Sequence, residues 1–130
     1  MESVLVISGD PQLVQTLGEY LTELQQTWAW LTPDQVSPYR HPPATAVCVD
    51  VKDADALALV RKVAHLWPQV SRVILGPRDT WLALAMLYQG ACAYLPRTGF
   101  NLAQVQAALR RGSQCHCLSQ ASPCTCTARG

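Results

Sequence analysis

VLVISGDPQLV, residues 4–14, decides the fold. Its first four residues, Val4-Leu5-Val6-Ile7, are apolar without alternation, the pattern of a strand covered on both faces. Ser8-Gly9-Asp10 ends the run. Pro11 then opens a segment, residues 11–26, in which Leu13, Leu17, Leu21 and Leu24 recur at helical spacing. Asp10 is placed to cap that helix and Pro11 to occupy its first turn. A buried strand that hands over to a helix is the repeating unit of a parallel sheet.

The same handover recurs along the chain. Apolar runs at residues 28–31, 46–51, 73–75 and 91–95 predict four more strands. Helical patterns fill residues 53–66, 80–89 and 101–111. Pro68, Gly90 and the pair Arg110-Arg111 are suitable stops or C-terminal residues for them. One connection is poor: TPDQVSPYRHPP, residues 32–43, contains four prolines and admits at most a short helix near residues 33–36. The expectation is an α/β fold: a doubly wound, five-stranded parallel sheet whose second crossover helix is short or degenerate. Ligands of such sheets lie at the carboxyl ends of the strands. The residues to examine are therefore Ser8, Gly9, Asp10, Asp50, Gly76, Pro77, Pro96 and Arg97.

Composition narrows the function. The chain has 130 residues, 49% hydrophobic and 15% charged, with a formal net charge of +1. That suits one globular domain, residues 1–111, followed by a cysteine-rich tail, residues 112–130. The charge balance lacks the basic excess of a nucleic-acid binder. The apolar runs are too short to cross a bilayer, and no basic segment precedes an apolar region at the N-terminus, so a cytoplasmic protein is expected. No nucleophile–base pair stands out, so the expectation is a non-enzyme that needs no cofactor.

Three segments together resemble the receiver domain of two-component response regulators, over roughly residues 3–111. They are VLVISGDPQLV, AVCVDV ending near Asp50, and GACAYLPRTGF, which is similar to the family's Gly-Ala-x-x-Tyr-Leu-x-Lys-Pro segment. The resemblance implies a flavodoxin-like (CheY-like) sheet with strand order 2-1-3-4-5. It also implies five functional positions. An acid pair that helps bind Mg²⁺ falls on Ser8 and Gly9, with Asp10 next door. The phosphoacceptor falls on Asp50, the phosphoryl-binding hydroxyl on Gly76, the lysine on Arg97 and the switch aromatic on Tyr94. The pocket thus departs from the family's pattern at the acids, the hydroxyl and the lysine.

Mg²⁺ wants hard oxygen ligands in near-octahedral geometry, and Ser8 and Gly9 supply no carboxylate. Without the metal, charge on a transferred phosphoryl group is poorly compensated. Arg97 either helps to bind phosphate or forms a standing ion pair with Asp50. The expectation is an atypical, stand-alone receiver acting by protein–protein contact, with weak or no phosphorylation of Asp50. A conventional phosphorelay receiver, served by a histidine kinase and phosphorylated on Asp50, is a further alternative.

Two further features remain. TWLALAMLYQ, residues 80–89, is apolar nearly all round, with Trp81, Leu84 and Tyr88 on one stripe. Tyr94 is placed to extend that stripe. This predicts a partner or homodimer face formed by this helix, the fifth strand and the last helix. The tail carries Cys115, Cys117, Cys124 and Cys126 as two Cys-x-Cys pairs, with His116 between the first. Such thiolates open a redox- or metal-responsive alternative, although the spacing is not that of a zinc knuckle. Cys48 and Cys92 lie in apolar runs and read as small buried hydrophobes. His41 and His65 read as surface residues.

Overall fold

A computed structural model describes residues 3–38 and 40–113. Five parallel strands form one sheet in the order β2-β1-β3-β4-β5: β1 (Val4–Ile7), β2 (Trp28–Leu31), β3 (Ala46–Asp50), β4 (Ser71–Gly76) and β5 (Ala93–Pro96). Every residue of β1, β3 and β4 is buried, as expected of strands covered on both faces.

Helices cover both faces. α1 (Pro11–Glu23) and α4 (Leu102–Ser113) lie on one side, where Leu13, Leu17, Leu21, Val105 and Leu109 pack on Val4, Val6, Cys48 and Val73. α2 (Leu57–Leu66) and α3 (Thr80–Tyr88) lie on the other, where Val60, Val63, Leu82 and Met86 pack on Leu5, Ile7, Val47, Val49 and Ile74. Among the described residues the second crossover has only a 3₁₀ turn, Pro33–Gln35, followed by the buried Val36.

Several boundaries differ from the sequence reading, each for a local reason. α1 stops at Glu23 rather than 26, because Gln25 takes a left-handed φ of 62° and Gln26 N–H closes onto Leu21 O. α2 starts at Leu57 rather than 53: Asp53 accepts Asp55 N–H, and a 3₁₀ turn, Ala54–Ala56, precedes the helix. β4 is longer than its apolar triplet because Ser71 and Arg72 also lie buried in the strand. The Arg72 guanidinium is satisfied there by the carbonyls of Gly90, Val70 and Pro68. β5 starts two residues late, because Ala91 N–H is engaged by Met86 O in the turn after α3. α4 runs to Ser113, started by Asn101 and Gln104, each side chain accepting from the other's main-chain N–H.

Candidate functional site

Strand order places the topological switch between β1 and β3, and the loops after β1, β3, β4 and β5 meet at their carboxyl ends. The structure brings Ser8, Asp10, Asp50 and Arg97 together there. The Arg97 fork grips Asp50 with two bonds, Nε to Oδ1 at 2.9 Å and Nη2 to Oδ2 at 3.2 Å. Ser8 Oγ donates to the same Oδ2 at 2.7 Å. Arg97 Nη2 also reaches Asp10 Oδ2 at 3.4 Å.

Each group is positioned by its element. Asp50 is the last residue of β3, and its side chain is only 1% exposed. Ser8 follows β1 directly and is fully buried. Its Oγ also accepts Asp10 N–H at 2.9 Å, which folds the loop back toward the site. Asp10 caps α1 by accepting Gln12 N–H through Oδ1 and leaves Oδ2 for Arg97. Arg97 follows β5, its N–H held by Gly76 O at 2.8 Å. The Asp50 hydrogen bond foremost holds the guanidinium above even its ordinary high pKa. Gly9 contributes no side chain and faces open space.

The residues present do not fit Mg²⁺. The buried carboxylate is Asp50, and both its oxygens are engaged by the guanidinium and by Ser8. The second carboxylate, Asp10, shares the same guanidinium. The positive charge that bridges the two acids is covalently part of the chain. Among the described residues no group of three or more His, Cys, Asp or Glu side chains is placed to hold a metal ion.

Gly76 and Tyr94 form a second arrangement beside this one. A Cβ on Gly76 would collide with the Tyr94 phenol. The glycine therefore leaves the space that the ring takes, and Tyr94 Oη donates to Pro77 O at 2.6 Å. Burial, and then the Asp79 carboxylate, push the Tyr94 hydroxyl above its ordinary pKa. Tyr94 does not join the exposed stripe on α3 but packs on the core beneath α2 and α3. That stripe is fully developed without it: Trp81 is 83%, Leu84 55% and Tyr88 71% exposed, while Leu82 and Met86 face the sheet.

Sequence reasoning gathered the strand-end residues but missed three contacts: Ser8 to Asp50, Tyr94 into the Gly76 gap, and Trp30 Nε1 donating to Ser8 O at 2.8 Å. The one available signal was the absence of a side chain at Gly76, two strand positions along from the residue beside Tyr94. Cys48 and Cys92 are buried, and burial pushes the Cys48 thiol up to about 12. Cys115, Cys117, Cys124 and Cys126 lie outside the described residues.

No protein-family model and no curated protein matches the sequence. Solved structures do match. The beryllofluoride-activated DrrB receiver domain superposes with a TM-score of 0.73 at 20% identity, over 88% of this chain and 98% of that one. A response-regulator receiver domain from Clostridium thermocellum gives 0.71 at 17% identity, over 88% and 95%. A response regulator from Burkholderia pseudomallei with a phosphorylated aspartic acid and a calcium ion gives 0.68 at 19%, over 88% and 70%. A sheet in the order 2-1-3-4-5, wound on both faces and carrying its polar cluster at the switch point, is in this chain the fold of a response-regulator receiver domain.

Proposed function

We propose that this chain is an atypical receiver whose pocket is closed from within, and which acts in signal transduction by protein–protein contact rather than by Mg²⁺-dependent phosphorylation of Asp50. The observation that carries the reading is the Arg97 fork on Asp50, completed by Ser8. Phosphoryl transfer needs a carboxylate oxygen free to attack and a cation to spread the developing charge. Here both oxygens are hydrogen-bonded, and the bidentate guanidinium bond is among the strongest a carboxylate makes. The pair holds charge and geometry together without phosphate.

The face through which such a chain would act is the exposed side of α3. Trp81, Leu84 and Tyr88 lie on one stripe of a helix whose other side is already spent on the sheet. Exposed apolar groups so grouped mark interaction surfaces, and aromatic residues dominate their energetics.

The test is chemical. The full chain is incubated with acetyl phosphate and Mg²⁺, and its intact mass is followed. The reading expects no phosphoryl adduct on Asp50. A stoichiometric, Mg²⁺-dependent adduct there would return the chain to conventional receivers.

A further inference from the structure

The sheet ends at β2, and its free side differs from the rest of the surface. Thr27 O accepts Val4 N–H and Leu31 O accepts Ser8 N–H. Odd-numbered residues of this strand therefore turn their main-chain groups toward β1. Successive residues alternate, so the N–H and C=O groups of Trp28 and Trp30 point off the edge. Among the described residues nothing pairs with them there. The strand, Trp-Ala-Trp-Leu, carries none of the lysines or prolines that blunt an exposed edge.

Both indoles lie on the side of the sheet that carries α1. Trp28 packs where a Cβ on Gly18 would collide with its ring, and its Nε1 donates to Thr22 Oγ1 at 3.2 Å. Trp30 is 43% exposed. With Val14, Gln15, Glu19 and Thr22 they wall an apolar groove of about 510 Å³ that runs beside the edge.

Acidic residues line this edge, and the cation Lys62 reaches Val36 O only beyond its C-terminal end. No lysine, arginine or histidine occurs in the first 39 residues, which hold five of the nine acidic residues. Glu19 lines the groove, Glu23 ends α1 before the strand, and Asp34 follows it. All three are exposed.

We propose that the β2 edge docks an extended, basic segment of a partner protein, which adds to the sheet as a sixth strand. Trp28 and Trp30 offer it two main-chain donors and two acceptors. The residues that the segment turns toward α1 include a lysine or arginine, whose charge meets the Glu19 carboxylate and whose stem lies along an indole face. Its apolar residues alternate with these and lie on the other side of the sheet, beside Ala29 and Leu31. A second copy of this chain fits worse, because pairing two β2 edges brings two acidic ends together. This surface is separate from the α3 stripe.

The experiment uses the full chain and three fluorescein-labelled peptides followed by anisotropy. One alternates lysine and valine. The second alternates glutamate and valine. The third inserts a proline after every Lys-Val pair of the first, keeping every lysine but losing the ability to pair. The lysine–valine peptide is expected to bind at least about tenfold more tightly than either other peptide. Trp30→Pro removes the outward N–H and spares the ladder to β1, and it weakens binding by about tenfold or more. Glu19→Lys, on the exposed face of α1, does the same and keeps the test valid if the proline variant fails to fold. Trp81→Ser leaves binding unchanged. Equal affinity for the proline-containing peptide, full binding by Glu19→Lys, loss of binding in Trp81→Ser, or no saturable binding at millimolar peptide would each overturn the proposal. None of these outcomes bears on whether Asp50 is phosphorylated.

Discussion

At the scale of single residues, the pocket depends on what holds Asp50. Its side chain is 1% exposed, and that of Arg97 is 20% exposed. The two partners should therefore not be equivalent under mutation. Arg97→Met strands a buried carboxylate, and removing one member of a buried pair costs roughly 3–5 kcal/mol. With one-fifth of the guanidinium exposed, the expected loss is at the lower end, about 3 kcal/mol. Asp50→Asn keeps an acceptor for Arg97, whose charge can turn to Asp10 and solvent, and should cost only about 1–2 kcal/mol. Urea unfolding of the two variants checks the order, and equal losses would mean that Asp50 is not the buried partner. Tyr94 gives a second test. A phenol whose pKa is raised in the folded state stabilises fully below the unfolded value of about 10, and that contribution is lost as pH rises through the folded value. Wild-type stability should therefore fall more steeply above about pH 10 than that of Tyr94→Phe. Parallel curves would show that the hydroxyl is not in the closed position. Gly76→Ser should displace the ring and destabilise by roughly 1–3 kcal/mol, and most of that loss should return in Gly76→Ser with Tyr94→Leu.

At the scale of elements, α3 separates packing from recognition. Leu82 and Met86 fix it to the sheet, and Trp81 is 83% exposed. Trp81→Ala should leave the melting temperature nearly unchanged, as exposed substitutions usually do. If the stripe binds a partner or a second copy, the same change should weaken association by about thirtyfold, the equivalent of roughly 2 kcal/mol. Sedimentation and thermal melting of one pair of samples read both quantities, and unfolding of Trp81→Ala would make Trp81 part of the core. The elements were legible because the buried strands are uninterrupted apolar runs and the helices carry their stripes at helical spacing. The β2–β3 crossover was legible from its prolines. What escaped were features set across the chain. Ser71 and Arg72 look unlike strand residues, and the burial of Arg72 is offset by the carbonyls of Gly90, Val70 and Pro68, which the strand's own residues do not announce. The early end of α1 depends on a non-glycine residue at positive φ, which no residue type announced. In the site, the ends of the strands named the participants, but the Arg97 fork was one of two readings. The Tyr94–Gly76 fit requires two neighbouring strands in register before it exists at all.

At the scale of the whole molecule, the sheet gathers its polar groups at one end and closes them on one another. A two-state protein switches only when a ligand favours one of its two arrangements, and a ligand with no differential affinity shifts nothing. In this chain the guanidinium of Arg97 already bridges Asp50 and Asp10, and the Tyr94 ring already fills the gap at Gly76. An added cation and phosphoryl mimic must first break the bidentate pair. The most direct measurement is an amide NMR titration of the full chain with Mg²⁺ and beryllofluoride, following Ser8, Asp50, Tyr94 and Arg97. These resonances are expected to stay where they are up to millimolar ligand. Saturable shifts centred on Asp50 and carried to Tyr94 would contradict that expectation.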